Sequence, residues 1–339
     1  MNLDEQFGRA GRMLGLLFLT SLLLLGLIAL ITVHPQVLKT LEGSPKSLWQ
    51  AKNPLTDLPD DEKVRYGHAL ISESYRHIGP LASDSDKRYA GNHLSCQNCH
   101  LEAGTVRGSA SFVGVYDRFP QFRGRENKMG TLAERINGCM ERSMNGRTMP
   151  EDGEEMQAMI AYMKWLSEEV PEERAAEFRG FVELDLPRVK ADLVKGEQVY
   201  TTHCQRCHQE DGQGIRSDVL QKYIYPPLWG ADSYNHGAGM HRVITAAQFI
   251  KANMPYGEAS WEQPKLTDEE AYHVAAYINS FTRPQKSNPE ADFPDKKLKP
   301  VSTPYGPWTD PFSAEQHKYG PFQPIMAYYE KEHGIKKTK

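Results

Sequence analysis

The net charge of this sequence is small. Its 339 residues include 40 lysines and arginines and 44 aspartates and glutamates, so the formal net charge is only −4. Proteins that bind nucleic acid carry a basic excess or a basic segment, and nothing in this sequence indicates such binding. Hydrophobic residues make up 39% of the chain, which is enough for two globular domains of ordinary size.

Charged residues are absent altogether from Met13 to Val33, a run of 21 residues. A helix rises about 1.5 Å per residue, so this run is long enough for the ~30 Å hydrocarbon core of a bilayer. A cleaved signal peptide is the alternative, but its apolar core is usually only about 7–15 residues long, and no small-x-small cleavage site ends this run. Because Arg9 and Arg12 precede it, the positive-inside tendency places the N-terminus in the cytoplasm. We expect a single-pass anchor in the inner (cytoplasmic) membrane, with the remaining chain in the periplasm.

Cysteine is also rare, with five in the chain. Four of them form two Cys-x-x-Cys-His motifs, Cys96-Gln97-Asn98-Cys99-His100 and Cys204-Gln205-Arg206-Cys207-His208. Such a motif holds a c-type haem through two thioether bonds, and its histidine is one axial ligand of the iron. Four thiolates can instead hold a structural zinc ion, but here a histidine follows each pair and the pairs stand in a repeated frame. The motifs predict two covalently bound haem c groups, with His100 and His208 as proximal ligands.

The repeat also includes the segments before and after each motif. Gly67 precedes the first motif and Gly196 the second, each in a predicted helix resembling the helix that opens a cytochrome c domain. The first copy has more residues between this glycine and its motif, so we predict an insertion near Ser72 to His93. After each motif come a Met-Pro pair and a helix: Met149-Pro150 with Glu154 to Leu166, and Met254-Pro255 with Asp268 to Phe281.

The last of these helices has a predicted apolar face, because apolar residues recur at spacings of three and four. These residues are Ala271, Val274, Ala275 and Ile278. We therefore predict a mainly α chain in which two tandem cytochrome c domains follow an N-terminal transmembrane helix. The predicted segments are an anchor (1–39), a tether (40–61), domain 1 (62–170), a linker (171–188), domain 2 (189–283) and a Pro-rich C-terminal tail (284–339). We expect the tail to wrap over the domains as a structural strap.

The distal ligand of the second haem is predicted from position. Met254 lies 46 residues after His208, in a loop before the last helix of domain 2, and a thioether ligand raises the reduction potential of a haem. Met240, His236 and His241 are alternatives. We favour Met254.

The distal ligand of the first haem is left open by spacing. Met149 lies 49 residues after His100 and is the equivalent of Met254 in the repeat. Cys139, the fifth cysteine, lies 39 residues after His100, and a thiolate is a good soft ligand for a transition metal. If Met149 is the ligand, Cys139 is a small buried hydrophobe, which is a common role of free cysteine.

Several arginines stand close to Cys139 in the sequence, at positions 123, 125, 135 and 142. Such residues can form a solvated surface, but positive charge also favours the thiolate over the thiol. A cluster of this kind suits a small anion with two negative charges. Two unit charges 4 Å apart repel by about 4 kcal/mol at an effective dielectric constant of ~20, so joining two dianions requires several cations.

The sequence resembles the dihaem thiosulfate dehydrogenases, which join two thiosulfates into tetrathionate. The resemblance covers roughly residues 60 to 285, and its most specific part is the stretch from Asn137 to Gly146. Further similar stretches lie in domain 2: Pro226-Pro227-Leu228-Trp229-Gly230, Tyr234-Asn235-His236-Gly237-Ala238-Gly239-Met240 and Asn253-Met254-Pro255. Some relatives have a lysine where this chain has Asn253, so no lysine-for-methionine ligand exchange is expected here.

The resemblance implies that Cys139 is the distal ligand of the first, catalytic haem. It also implies that Arg125, Arg135 and Ser143 line the substrate pocket, and that the second haem passes electrons to an electron-accepting cytochrome or another redox protein. On this hypothesis Arg125 and Arg135 bind thiosulfate, Ser143 adds a hydrogen bond, and the Cys139 sulfur leaves the iron to hold a sulfur adduct. The alternative function is that of a membrane-tethered dihaem carrier with His/Met ligation at both irons.

Overall fold

The computed structural model describes residue 11, residues 13–26 and residues 49–338, and the chain divides into two units, Met1–Gln50 and Ala51–Lys339. In the first unit, residues 13–26 are helical. Residues 27–48, which include the end of the predicted anchor and the first nine residues of the predicted tether, lie outside the described residues. No helix among the described residues is both long enough and apolar enough to cross a membrane.

The second unit is mainly helical. Its helices are α1 (Glu62–Ser72), α2 (Ser74–His77), α3 (Leu101–Gly104), α4 (Leu132–Arg142), α5 (Glu154–Ser167), α6 (Glu172–Glu177), α7 (Leu193–His203), α8 (Gln205–His208), α9 (Val243–Asn253), α10 (Asp268–Ile278), α11 (Ala314–Tyr319) and α12 (Gln323–His333). Strands are few and form two antiparallel pairs, β1 (Gln121–Arg123) with β2 (Lys128–Gly130) and β3 (Ile215–Arg216) with β4 (Tyr223–Tyr225). Short 3₁₀ turns occupy Ser85–Lys87, Cys96–Asn98, Tyr116–Arg118, Gly239–His241, Pro289–Ala291 and Lys296–Leu298.

The repeat seen in the sequence is also present in the fold. In domain 1, α1 packs on α5 so closely that a Cβ on Gly67 would lie 2.0 Å from the carbonyl oxygen of Ala158. In domain 2, α7 packs on α10 in the same way, and a Cβ on Gly196 would lie 2.3 Å from the carbonyl oxygen of His273. Glycine is therefore required at both helix crossings, because any side chain would force the helices apart.

Aspartate side chains begin the first helix of each domain. Asp61 accepts a hydrogen bond from the backbone N–H of Val64, and Asp192 accepts from those of Val194 and Lys195. Such caps pair N–H groups that have no partner within the helix, and each stabilises its helix by about 1 kcal/mol.

Each domain has its own apolar core. Domain 1 buries Leu70, Ile71, Met156, Met159 and Tyr162 between α1 and α5. In domain 2 the predicted face of α10 is buried: Ala271, Val274 and Ala275 are fully buried and Ile278 is 5% exposed. Burial of one large apolar side chain contributes about 1.5–3 kcal/mol, so these faces account for the packing of the paired helices.

The C-terminal tail contributes to both domains. Its residues Phe322, Ile325 and Tyr329 complete the core of domain 2, while its first part contacts domain 1 near Arg125. We did not predict α12 within this Pro-rich sequence. Pro324 does not prevent this helix, because it lies in the first turn, where its missing N–H costs no helical hydrogen bond.

Candidate functional site

The histidines of the two haem motifs are held in the same way. The Nδ1 atom of His100 lies 2.8 Å from the carbonyl oxygen of Ala110, and that of His208 lies 2.8 Å from the carbonyl oxygen of Pro226. Since a carbonyl only accepts, Nδ1 carries the proton in each ring. In the neutral ring the Nε2 atom is then unprotonated and can ligate a metal. Metal-ligating histidines are usually oriented by such a partner at the other ring nitrogen.

Helix α4 carries the candidate catalytic residues of domain 1. It begins at a capping box in which Thr131 and Glu134 exchange side-chain-to-backbone hydrogen bonds. Arg135, Cys139 and Arg142 follow at spacings of four and three, which place them on one face of the helix. Gly138 leaves room for this face, because a Cβ there would lie 2.2 Å from Nη2 of Arg142.

The thiol of Cys139 lies in a strongly cationic setting. Nη1 of Arg135 donates a hydrogen bond to its Sγ at 2.6 Å. Burial raises the pKa of Cys139, but Arg135, the neighbouring His100 imidazole and Arg142 outweigh it and lower the pKa to about 5. Cys139 is therefore a thiolate at neutral pH, which is the form that ligates metals and acts as a nucleophile.

The cysteines of the first haem motif show the opposite behaviour. Burial raises the pKa of Cys96 to about 11 and that of Cys99 to about 12, and the charge of Cys139 adds to both shifts. Cys139 thus lies close to both thiols as well as to His100. The two thiols that are predicted to form thioether bonds and the two candidate axial donors therefore lie close together. None of the described residues form a cluster of three or more His, Cys, Asp or Glu suited to a metal ion.

Met149, the alternative ligand, is buried in the core of domain 1. Its backbone N–H donates to Oδ1 of Asn137 at 2.8 Å, and Nδ2 of Asn137 donates to its carbonyl oxygen at 2.9 Å. Asn137 therefore ties the Met149 segment to α4, two residues before Cys139. Of the two predicted alternatives, the structure brings Cys139 next to His100.

Arg125 reaches the same region from the loop between β1 and β2, but it is already paired. Its Nη1 lies 2.5 Å from Oδ2 of Asp292 and 3.0 Å from the hydroxyl of Tyr305. Both partners belong to the C-terminal tail. Its guanidinium also lies 4.8 Å from the ring centre of Phe293.

Ser143 ends helix α4, with its backbone N–H donating to the carbonyl oxygen of Cys139. Its own carbonyl oxygen accepts a hydrogen bond from Nδ2 of Asn92 at 3.0 Å. Asn92 lies at the end of the predicted insertion, so the insertion supports the segment that follows Cys139.

Arg242 is a site residue that sequence reasoning missed. Burial lowers the pKa of its guanidinium to about 9, and the charges of Arg125, Arg142 and Arg135 add to this shift. Arg242 belongs to domain 2, at the start of α9, and so is more than 100 residues from Arg135 in the chain. The signal in the sequence is its place two residues after the similar stretch that ends at Met240.

Comparison with known proteins assigns both domains. Residues 86–171 match the model described as the SoxA/TsdA cytochrome c domain, and residues 193–282 match the cytochrome c model. The thiosulfate dehydrogenase of Stutzerimonas stutzeri (strain A1501) is 40% identical over 232 residues, which are 68% of this chain and 71% of that protein. This chain belongs to the thiosulfate dehydrogenase family. As a member, it carries two covalently bound haem c groups, one in each cytochrome c domain.

Other family members give a consistent result. The thiosulfate dehydrogenase of Allochromatium vinosum is 43% identical over 208 residues, which cover 60% of this chain and 75% of that one. Among solved structures, the as-isolated thiosulfate dehydrogenase (TsdBA) from Marichromatium purpuratum superposes with a TM-score of 0.62 at 34% identity. The match covers 71% of this chain and half of that longer chain.

The residues predicted for the second haem site of this family member include His208 and Met254. Met254 follows directly after α9 and packs against the core of domain 2. Of the alternative histidines, His236 accepts at Nδ1 from the backbone N–H of Lys286, whereas Nδ1 of His241 lies 2.9 Å from the carbonyl oxygen of His236, an arrangement like that of His208. Met254 as the distal ligand of the second haem stays a prediction.

Domain 2 also contacts the C-terminal end of helix α4. The backbone N–H of Asn235 donates to the carbonyl oxygen of Arg142 at 3.1 Å, and its Nδ2 donates to that of Glu141 at 2.8 Å. Asn253, where some family members have lysine, instead donates to the carbonyl oxygen of Gly108 in domain 1 at 3.1 Å. These contacts fix the two haem-binding domains against each other.

Proposed function

We propose that this protein is a thiosulfate dehydrogenase, which couples two thiosulfates into tetrathionate and passes the two electrons to an external acceptor. The observation that carries the proposal is the Cys139 thiolate, which lies beside His100 and accepts a hydrogen bond from Arg135. Four curated relatives bear the name thiosulfate dehydrogenase. Cys139 lies within residues 86–171, which match the SoxA/TsdA cytochrome c domain.

The four axial ligands are part of this proposal. His100 and Cys139 would hold the iron of the first haem, and His208 and Met254 that of the second. Cys96, Cys99, Cys204 and Cys207 would supply the thioether bonds. When bound, the two haems each accept one electron, so that together they hold both electrons of the coupling until an acceptor protein removes them.

The cationic side chains prepare the site for two dianions. Arg135 and Arg125 would bind the sulfonate groups, and Ser143 would add a hydrogen bond. Because two thiosulfates repel each other strongly at contact distance, this screening is required before their outer sulfurs can meet.

Cys139 would act as the sulfur carrier. After leaving the iron, its thiolate would form an S–S bond with the outer sulfur of the first thiosulfate, a two-electron oxidation for which the bound haems would be the electron acceptors. The outer sulfur of the second thiosulfate then attacks this outer sulfur. Tetrathionate would be released and the Cys139 thiolate regenerated.

The chain is further proposed to act in the periplasm, anchored in the inner membrane by the segment that begins at Met13. The uncharged run from Met13 to Val33 and the preceding arginines support this placement. Fractionation of cells that express the full chain tests it: the haem-stained protein should remain with the membranes after a salt wash. Recovery in the soluble periplasmic fraction would contradict the anchor.

One experiment distinguishes the proposed enzyme from the alternative function, a dihaem electron carrier. The purified oxidised protein is mixed with thiosulfate, and haem reduction is followed by absorbance while thiolate ligation is examined by electron paramagnetic resonance. The proposal requires a low-spin thiolate-ligated signal and reduction of both haems with tetrathionate as product. A spectrum of two His/Met haems that thiosulfate leaves oxidised would favour the carrier.

A further inference from the structure

The C-terminal tail begins after both matched family models end, at residue 282, yet it contacts a proposed substrate-binding residue. We propose that the tail is part of the thiosulfate site and that Asp292 is a positioning residue, which holds the Arg125 guanidinium in the orientation that binds substrate. This inference rests on the proposed function and extends it to a segment of the chain that the family models do not include.

Asp292 and Tyr305 together occupy one edge of the Arg125 side chain. Nη1 of Arg125 donates to Oδ2 of Asp292 at 2.5 Å and to the Tyr305 hydroxyl at 3.0 Å, while that hydroxyl lies 2.6 Å from the same Oδ2. A guanidinium has five N–H donors in a fixed plane. With both Nη1 donors engaged, the three on Nη2 and Nε remain, and their direction is set by the Asp292 contact.

The backbone and the ring of Phe293 fix Arg125 from two further sides. The backbone N–H of Phe293 donates to the carbonyl oxygen of Arg125 at 2.8 Å, and its ring lies under the guanidinium. The side chains of Arg125 and Asp292 are 10% and 7% exposed. The guanidinium is therefore confined in a single orientation rather than moving freely in solvent.

Asp292 is itself held in place by the rest of the tail. Nζ of Lys286 lies 3.6 Å from its Oδ1, and Nζ of Lys296 donates to its carbonyl oxygen at 3.0 Å. Farther along, the tail is packed into the core of domain 2 through Phe322. The carboxylate is thus a fixed element of the site.

The local charge explains why a carboxylate is needed. Arg135, Arg142 and Arg242 all act on this region, and an unpaired Arg125 would be repelled by them. Although burial opposes ionisation, Arg125, the Tyr305 hydroxyl and Lys286 keep the pKa of Asp292 below its usual value. Asp292 therefore stays charged at neutral pH and keeps Arg125 within the cluster.

The test compares Asp292→Asn with wild type and with Asp295→Asn, a tail variant three residues away whose side chain caps a short turn through the backbone N–H of Lys297. Thiosulfate oxidation is measured with ferricyanide as acceptor, together with the haem absorption spectrum. We expect Asp292→Asn to raise KM about 10-fold or more, in line with the loss caused by a misplaced binding group, while kcat and the spectrum stay close to wild type. Asp295→Asn should match wild type, and Asp292→Glu should recover part of the loss.

Three results would overturn the inference. An unchanged KM would show that Asp292 does not position Arg125, and a lower KM would show that its charge merely repels substrate. A parallel loss of kcat, haem signal and thermal stability would show a purely structural role. If wild type itself fails to form tetrathionate, the proposed function falls and this inference with it, whereas an active wild type with an unaltered Asp292→Asn overturns this inference alone.

Discussion

Arg135 lies one helical turn before Cys139 and donates a hydrogen bond from Nη1 to its sulfur at 2.6 Å. Each residue favours the charged form of the other. Cys139 is the largest cause of the raised pKa of Arg135, and Arg135 is the largest of the causes that lower the pKa of Cys139 against the effect of burial. A thiolate and a guanidinium thus form a half-buried pair on one face of α4.

Replacing Arg135 by Gln should leave both haems attached but reduce kcat/KM for thiosulfate about 10- to 100-fold. A hydrogen bond to a charged group contributes about 1.5–3 kcal/mol, and this one acts on the sulfur that reacts. Steady-state kinetics with ferricyanide measure the change. Arg135→Lys should lose less, and Arg147→Gln, at an exposed arginine outside the cluster, serves as control. Equal kinetics in wild type and Arg135→Gln would contradict the role assigned to this pair.

Replacing Gly67 or Gly196 by Ala should destabilise its domain by about 1–3 kcal/mol, because a Cβ meets backbone across a helix crossing in each case. Thermal or denaturant unfolding followed by circular dichroism checks this. Gly124→Ala, where the nearest atom to a new Cβ is at an ordinary 3.4 Å, should cost much less. A tolerated Gly67→Ala would mean that α1 and α5 cross less closely than described.

Replacing Asn235 by Ala should slow electron transfer between the domains and lower stability by about 1–3 kcal/mol, since it leaves the carbonyl oxygen of Glu141 without this donor. Stopped-flow absorbance can follow the two haems after thiosulfate is added. The matched control is Gln157→Ala, whose amide donates one local hydrogen bond, to the carbonyl oxygen of Glu151. If the second haem is reduced as fast as in wild type, the contact at the end of α4 does not govern transfer.

The ion pair of Asp292 with Arg125 should make stability depend on pH in acid. Because the folded-state pKa of Asp292 lies below its unfolded value of about 3.9, its stabilisation is fully present above that unfolded value and is lost as pH falls through the folded one. The difference in unfolding free energy between wild type and Asp292→Asn should be constant from about pH 5 to 8. It should shrink below about pH 4, and a difference that does not vary with pH would contradict the assignment.

The features that could be predicted from the sequence are those with a local pattern. The domain repeat predicted the haem motifs and the glycines at 67 and 196. Helical spacing of three and four predicted the apolar face of α10, which is buried in the structure. Cys139 and Met149 could not be separated by spacing, because both fall within reach of the same histidine. Only the fold shows that Cys139 lies beside His100 while Met149 is packed in the core.

The contacts that could not be predicted join residues far apart in the chain. Asp292 meets Arg125 across 167 residues, and Arg242 approaches Arg135 from the other domain. Such pairs depend on how the domains and tail pack, so they leave no periodic signal in the sequence. The irregular sequence of the tail predicted only a structural strap. That the tail also contacts Arg125, a proposed substrate-binding residue of domain 1, is visible only in the fold.

The central claim is that the Cys139 sulfur carries out the coupling of thiosulfate. The most direct measurement is the tetrathionate formed from thiosulfate by wild type and by Cys139→Gly, with equal haem content in both samples. The account predicts tetrathionate from wild type and only background from Cys139→Gly. A Cys139→Gly protein that forms tetrathionate at close to the wild-type rate would contradict it.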